Sequence, residues 1–402
     1  MRVFLSAGEP SGDHHAALLL AALRARRPDV ECTALGGPCL EAAGATLVAD
    51  MTRLAVMWFG RVLLNIHRFV ELARRAERQF IDYRPDVCVL VDFPGFHWWL
   101  AWRAKRHGIP VVFYCPPQIW AWASWRVGKL RRLVDHVLAA LPFEHEWFLA
   151  HGVRSTLVGH PFFDGPPPPA QARRRDDRPL VLLLPGSRRQ EIDANLGSLL
   201  EAAAIIRRGM PGVRVVIGAL HQRHAELIAS RGGTVAEIVA GRSRELMAEA
   251  TAAIAVSGSV SLELLAARVP TVIVYRISAL AYVVQSFFRH ARFITLVNLL
   301  AVPDPVGPVR PVWRAPAGVP PADDTAVFPE YLAVEDPARR VAAHVLAWLG
   351  DDAARQAVVA RLGRVAEQVE RPGSADRAAA AVLDIAGADR PPAVTRFRRQ
   401  AA

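Results

Sequence analysis

Cysteine is scarce in this chain: Cys32, Cys39, Cys88 and Cys115 are the only four in 402 residues, and no two form a C-x-x-C pair. Such usage excludes a disulfide scaffold and a paired-thiol redox motif. The four therefore read as reduced thiols of a cytosolic protein. No apolar run reaches the roughly 18 residues of a membrane span. The stretch 90–102 comes closest, but Asp92, Pro94 and Gly95 interrupt it. No long apolar segment precedes Glu9, which argues against a secretory leader, so membrane contact is expected to be peripheral. G-x-x-x-x-G-K-[ST] and G-x-G-x-x-G are both missing, which weakens P-loop, kinase and dinucleotide-dehydrogenase readings. Zinc-ligand spacing, an RNP-type aromatic signature and a basic region with heptads are missing as well, so a nucleic-acid partner is not expected.

The chain does have apolar mass and positive charge. Apolar residues make up 52%, and 49 Lys and Arg against 38 Asp and Glu leave a formal charge of +11. This length exceeds what one core usually sustains, so two domains are expected. The charge attracts polyanions; without nucleic-acid motifs, a phosphorylated substrate or an anionic membrane surface is the better reading.

An α/β rhythm runs through both halves. Apolar runs at 2–6, 87–91, 111–114 and 137–141 read as strands, with helices near 12–26, 61–82 and 97–107. A proline and charge run at 164–178 reads as a linker. Strands at 180–184, 213–218, 253–257 and 271–275 follow, with helices at 191–208, 221–231, 243–250 and 259–267. The segment 302–327 is Pro-rich and aperiodic and looks inserted. Helical patterns return at 336–349 and 352–388, and a basic tail at 390–402 reads as disordered. Two Rossmann-like, doubly wound domains facing a cleft are expected, at 1–163 and 179–345.

Several loops carry candidate chemistry. Gly8, Glu9, Ser11, Gly12 and Asp13 form a tight turn between the first strand and helix, where backbone N–H groups meet a ligand. Gly186, Ser187 and Arg188 repeat that design with an arginine suited to phosphate, or form an ordinary turn with a solvated arginine. Ser257, Gly258 and Ser259 follow another strand and leave room for a diphosphate. Glu263, one turn into the next helix, could accept hydrogen bonds from vicinal ribose hydroxyls, or only complement the helix dipole. Asp92 ends a buried strand as a candidate general base, or caps the turn after it. Gln118 and Trp120 set a donor beside a flat ring, suited to a sugar face or acyl chain, or to an aromatic core. Trp58, Phe59, Val62, Leu63, Ile66 and Phe69 form one helical stripe among arginines, the pattern of an interfacial anchor or of a core-facing helix. No metal site and no cofactor are expected.

These motifs together resemble the lipid-A-disaccharide synthase family, inverting glycosyltransferases of the two-Rossmann, glycosyltransferase-B fold. The resemblance rests on Ser6-Ala-Gly-Glu-Pro-Ser-Gly-Asp13, Leu54-Ala-Val-Met57, Val91-Asp92-Phe-Pro94, Pro117-Gln-Ile-Trp-Ala-Trp122, Leu141-Pro-Phe-Glu144, Val158-Gly-His-Pro161, Leu184-Pro-Gly-Ser-Arg188, Ser257-Gly-Ser259 with Leu262-Glu263, Tyr275-Arg276 and Asn298-Leu-Leu-Ala301. It implies transfer of 2,3-diacylglucosamine from its UDP derivative to 2,3-diacylglucosamine 1-phosphate, releasing UDP, at the cytoplasmic face of an anionic inner membrane.

The resemblance also implies roles. Asp92 is the base on the acceptor hydroxyl, Arg188 meets the diphosphate, Glu263 the nucleotide ribose, and Asn298 is a polar cleft residue. The 58–70 helix touches the membrane. Helices at 346–389 cross back onto the first domain, and a homodimer with exchanged C-terminal parts is implied. Gly95 and His97 depart from the family's Asp-x-Pro-Asp-Phe-Asn pattern, and His97 then stands as the alternative base. A D-x-D metal motif is absent, so a metal-independent mechanism is implied, with Arg188 and helix N-termini stabilising the departing UDP. A UDP-N-acetylglucosamine 2-epimerase-like isomerase and a non-catalytic lipid or UDP-sugar binder are the alternatives.

Overall fold

The computed structural model describes residues 1–52, 66–165, 178–232, 236–306 and 326–387. The chain divides into two units: 1–119 with 124–165 and 371–402, and 120–123 with 166–370. Each is built on one sheet whose pairs, among the described residues, are all parallel.

The first unit holds β1 (Arg2–Ala7), β2 (Glu31–Gly36), β3 (Thr46–Asp50), β4 (Val87–Val91), β5 (Val111–Tyr114), β6 (His136–Ala139) and β7 (Ser155–Leu157), in the order β3-β2-β1-β4-β5-β6-β7. All of β4, Val-Cys-Val-Leu-Val, is buried. A continuous apolar run of this kind suits a parallel strand covered by helices on both faces. The helix Pro10–Arg26 begins with proline at its first turn and buries Ala16, Leu19, Leu20 and Leu23. Proline fits there because that N–H has no intrahelical partner. Against this helix packs the last described one, Ser374–Gly387, through Ala378, Ala379 and Val382.

The second unit holds β8 (Leu180–Leu184), β9 (Arg214–Ala219), β10 (Glu237–Ala240), β11 (Ala252–Val256), β12 (Thr271–Arg276) and β13 (Glu330–Ala333), in the order β10-β9-β8-β11-β12-β13. Its long helix Arg189–Gly209 packs on Ala338–Gly350. The contact is close at Gly209, where a Cβ would lie 2.9 Å from Leu346 Cδ2.

The structure moves several boundaries. The helix Asp352–Val369 stays with the second unit, against Ala338–Gly350 and Val260–Ala266, so the return to the first unit starts at Arg371 and not at 346. The segment 120–123 belongs to the second unit, where the Ala121 carbonyl accepts from His290 N at 2.6 Å and Ala291 N at 3.2 Å. Asp164, expected in the linker, belongs to the first unit and caps the returning helix. Its carboxylate accepts from Ser374 N at 2.7 Å and Ala375 N at 2.6 Å. The rest of the expected linker up to 177, residues 307–325 of the expected insertion, and the tail lie outside the described residues.

The cap gives a prediction. Asp164→Ala leaves two N–H groups at the Ser374 helix start unpaired, and loss of a cap costs about 1 kcal/mol, up to about 2. Expected are a lower unfolding temperature and faster protease cleavage near 371–373. An unchanged cleavage rate would show that the cap does not hold this helix.

Candidate active site

In the first unit the direction of strand order reverses at β1 and β4, which pair in register with Ala7 opposite Val91. Doubly wound sheets bind ligands at such a reversal, beyond the carboxyl ends of the strands. The turns after Ala7 and Val91 therefore lie side by side. They touch at Gly8, where a Cβ would sit 2.3 Å from Phe93 Cγ, so only glycine allows that approach.

Asp92 and Phe93 both have left-handed backbones, with φ of 52° and 47°. Such conformations cost roughly 1–3 kcal/mol each and persist only where neighbours hold them. His97 is one such neighbour. It is fully buried; its Nδ1 lies 2.6 Å from the Asp92 carbonyl oxygen and its Nε2 2.9 Å from Ser6 Oγ. A carbonyl only accepts, so Nδ1 carries the proton and Nε2 accepts from the Ser6 hydroxyl. Burial lowers the His97 pKa to about 3, which keeps the ring neutral. His97 is thus not the alternative base: both ring nitrogens are engaged, and it fixes the turn that carries Asp92. Asp92 itself is half-buried.

The other candidates in this unit separate by burial. Glu9 is half-buried, and Ser11 is exposed in the first turn of Pro10–Arg26. Gly12 is buried, and so is Asp13, whose carboxylate accepts from Gly37 N at 2.7 Å, Cys39 N at 2.8 Å and Leu40 N at 3.3 Å. Asp13 therefore caps the helix Pro38–Ala42 and is not open to a substrate. Gln118 is exposed; Trp120 is 1% exposed, which corrects its reading as an open platform for a sugar.

In the second unit the reversal falls between β8 and β11, with Leu184 opposite Ala255. The two loops that follow are those singled out from sequence. Gly186 has φ of 113°, and a Cβ there would meet Glu191 Cβ at 2.6 Å. Glu191 Oε2 accepts from Ser187 N at 3.0 Å and Arg188 N at 3.1 Å. An internal carboxylate thus occupies the anion seat of this turn. Sequence reasoning missed it, although glutamate at the third helical position is a recognised capping signal. The Arg188 side chain is 64% exposed, with Nη1 3.6 Å from Glu191 Oε1.

On the neighbouring loop, Ser257 Oγ donates to the Ile294 carbonyl at 2.9 Å, so this hydroxyl ties the loop to 294. Gly258 and Ser259 are exposed. Glu263 is half-buried and accepts no hydrogen bond among the described residues. Burial raises its pKa, against the opposing pull of Arg244. Its carboxylate is poised for donors from outside. Arg276 braces the end of β12: its N donates to Asn195 Oδ1 at 2.8 Å and its guanidinium to Ser198 Oγ at 3.1 Å, while Tyr275 before it is half-buried.

Asn298 requires correction. It is fully buried; its Nδ2 donates to the Phe328 carbonyl at 2.9 Å and to Glu330 Oε2 at 2.8 Å, and its Oδ1 accepts from Phe328 N at 2.9 Å. Both its donor hydrogens are in use, so it joins the segment at 298 to the start of β13 and does not contact a nucleotide sugar. Its partner Glu330 also accepts from Ile294 N at 2.8 Å and Thr295 N at 3.2 Å. Burial pushes the Glu330 pKa up to about 7, against the pull of these N–H donors.

Of the expected membrane stripe, Trp58, Phe59, Val62 and Leu63 lie outside the described residues. Ile66 is 47% exposed, whereas Phe69 is 7% exposed and packs on Phe96 with ring centroids 5.8 Å apart. Phe69 is therefore a core residue and not a contact for lipid. Among the described residues, no group of three or more His, Cys, Asp or Glu could hold a metal ion, and no helix is long and apolar enough to cross a membrane. All four cysteines are free.

Residues 3–305 match the family model described as lipid-A-disaccharide synthetase. The chain is 35% identical over 394 residues to the lipid-A-disaccharide synthase of Myxococcus xanthus, covering 96% of this chain and 97% of that one. Two solved structures share the fold at low identity. The MurG protein of Acinetobacter baumannii aligns with a TM-score of 0.54 at 15% identity over 95% of this chain and 99% of its own. The UDP-GlcNAc 2-epimerase of Neisseria meningitidis bound to UDP-GlcNAc aligns with a TM-score of 0.56 at 10% identity over 96% and 99%.

Glu330 yields a pH prediction. Its folded pKa of about 7 lies above the usual 4.5, so the folded state binds more protons between those values and stability falls as pH rises through that window. Four histidines act oppositely: the buried His97 and His344 and the half-buried His15 and His160, lowered to between about 3 and about 4 by desolvation, make stability fall as pH drops below about 6.5. The readout is therefore the unfolding temperature of Glu330→Gln relative to the wild type. It should be most favourable to the variant above pH 7 and shrink toward pH 4.5. A difference independent of pH would show that Glu330 does not titrate in this range.

Proposed function

Because the chain belongs to the lipid-A-disaccharide synthase family, a glycosyltransferase family of lipid A biosynthesis, we propose how its residues divide that reaction. The chain transfers 2,3-diacylglucosamine from UDP-diacylglucosamine to 2,3-diacylglucosamine 1-phosphate, making the lipid A disaccharide 1-phosphate and UDP. The epimerase likeness is one of fold alone, at 10% identity. The observation that carries the residue assignment is the pairing of two strands at the β8/β11 reversal, one followed by a loop with an exposed arginine and the other by glycine and serine and then a glutamate that accepts no hydrogen bond among the described residues.

In this reading the exposed Arg188 guanidinium receives the diphosphate of the donor beside the Gly186–Ser187 turn, whose N–H groups are released to it only as the Glu191 carboxylate gives up its hold on them. Gly258 and Ser259 leave its neighbourhood open, and Glu263 accepts from the ribose hydroxyls. Charge builds on the leaving diphosphate as the glycosidic bond breaks, so a preorganised guanidinium acts mainly in the transition state. Asp92 takes the proton from the acceptor's primary hydroxyl as that oxygen attacks, which inverts the anomeric centre. No metal enters this scheme. His97 and Ser6 act one step back, by holding the Asp92 turn.

The lipid nature of the substrates fits a further feature of the second unit. The helix Ala279–Phe288 has no buried and no charged residue, with Leu280 and Phe287 exposed by 75% and 76%. Exposed apolar surface of this kind suits acyl chains or a bilayer. The reading includes peripheral attachment to the cytoplasmic face of the inner membrane through the 58–70 stripe, and a homodimer that exchanges C-terminal parts, with Ser374–Gly387 as the exchanged element.

Two substitutions test the chemistry. Arg188→Ala should lower turnover on the order of 10²-fold or more, the effect of losing one preorganised donor, and should weaken UDP binding measured by calorimetry. Unaltered UDP affinity in a folded variant would remove Arg188 from the diphosphate. Asp92→Asn should keep UDP affinity and lose roughly 10²–10⁴-fold in single-turnover rate at saturating substrates, because an amide cannot take the proton. More than about a tenth of the wild-type rate would sink the base assignment.

A further inference from the structure

The helix Pro94–Arg106, which begins at the Asp92 turn, carries three tryptophans that the reaction scheme does not use. Trp98 is 5% exposed, but Trp99 and Trp102 are exposed by 41% and 45%. With the helix Val127–Leu133 they line a shallow groove of about 380 Å³ that also includes Arg103, Lys129 and Arg132. The Lys129 ammonium lies 5.5 Å from the centre of the Trp98 ring, and the Arg106 guanidinium 4.7 Å from that of Trp102. Arg103 is matched by Glu77 at 3.1 Å, whereas Arg106, Lys129 and Arg132 are paired with no carboxylate among the described residues.

A second observation points to a ligand here. The indole Nε1 of Trp98 is buried and has no hydrogen-bond partner among the described residues. Buried donors are nearly always satisfied, so one left without an acceptor beside a groove calls for an explanation. Exposed indoles, unmatched cations and an unsatisfied N–H all suit a surface rich in phosphate and ester oxygens above an apolar layer. Tryptophan rings settle at the headgroup level of bilayers, with lysine and arginine drawn to anionic lipid.

We propose that this tryptophan-lined basic groove docks the protein on the phosphate headgroups of an anionic bilayer, as a contact separate from the 58–70 stripe. The inference rests on the reading that the lipid substrates are taken up at a membrane. The indoles of Trp99 and Trp102 enter the headgroup layer, Arg106, Lys129 and Arg132 neutralise lipid phosphates, and Trp98 forms the floor beneath them.

Full-length protein tests this by co-sedimentation with vesicles of phosphatidylcholine alone or mixed with phosphatidylglycerol. The variant Arg106→Gln/Lys129→Gln/Arg132→Gln changes only exposed side chains, and each lost charge should weaken anionic-vesicle binding roughly fivefold, or about a hundredfold together. Trp99→Ser/Trp102→Ser should weaken it as well. Turnover of substrates dispersed in detergent should stay at the wild-type rate for both variants. Wild-type affinity of the charge variant for anionic vesicles would overturn the inference. So would release of the protein by inorganic phosphate at an ionic strength where chloride has no effect, which would mark a site for free phosphate. Binding of a single-stranded oligonucleotide through these cations, with vesicle binding unaffected, would overturn it too. A Trp58→Ser/Phe59→Ser/Leu63→Ser variant separates the two contacts: if it binds normally while the charge variant does not, the stripe reading fails and the groove stands.

Discussion

Parallel pairing of β1 with β4 and of β8 with β11 is the constraint on which the rest depends. Parallel neighbours cannot be joined by a tight turn, so each connection crosses a face of the sheet as a helix and every strand ends at the same edge. Where the direction of winding reverses, two strand ends are neighbours whose following helices leave to opposite faces. In each unit that opening holds two of the loops singled out from sequence: those of Gly8 and Asp92 in one, those of Arg188 and Ser257 in the other. Placing these residues requires no coincidence of loops distant in sequence; the strand order does it.

Carboxylates then divide by the partners they hold. Asp13, Asp164 and Glu330 each accept from backbone N–H groups at the start of another segment, and each ties two distant stretches of chain together. Glu191 does the same locally at the Gly186–Arg188 turn. An N–H left without a partner inside a protein costs about 1–3 kcal/mol, so such groups stabilise the segments they join. Glu263 differs: it is half-buried and accepts no hydrogen bond among the described residues.

Much of this was legible in the chain. The all-apolar strands, such as Val-Cys-Val-Leu-Val at β4 and Leu-Val-Leu-Leu-Leu at β8, declare themselves because both faces are covered. The strands that escaped notice, β2, β3, β7, β10 and β13, are short, edge-placed or opened by a polar residue, as at Glu31, Glu237 and Glu330, so their pattern is diluted. The loops were found by their glycines, serines and charges. Which of their polar residues faced inward was not readable, because Asp13 and Asp92 look alike in sequence. What separates them is a donor set brought from elsewhere in the chain: the N–H groups of Gly37, Cys39 and Leu40 converge on Asp13. The same holds for Asn298, whose partners Phe328 and Glu330 lie some thirty residues on.

The departure at His97 shows how a site tolerates an altered motif. A left-handed Asp92–Phe93 turn is strained, and the strain must be offset by something that grips its carbonyl. A neutral imidazole does so from one nitrogen while the other is held by Ser6, and full burial keeps it from gaining a charge near neutral pH. An asparagine at this position would also have offered a donor on one side and an acceptor on the other, so the two side chains are alternative solutions to one geometric demand. The consequence lies in how the turn behaves. Because the clamp does not titrate near neutrality, the turn that carries Asp92 keeps its shape there.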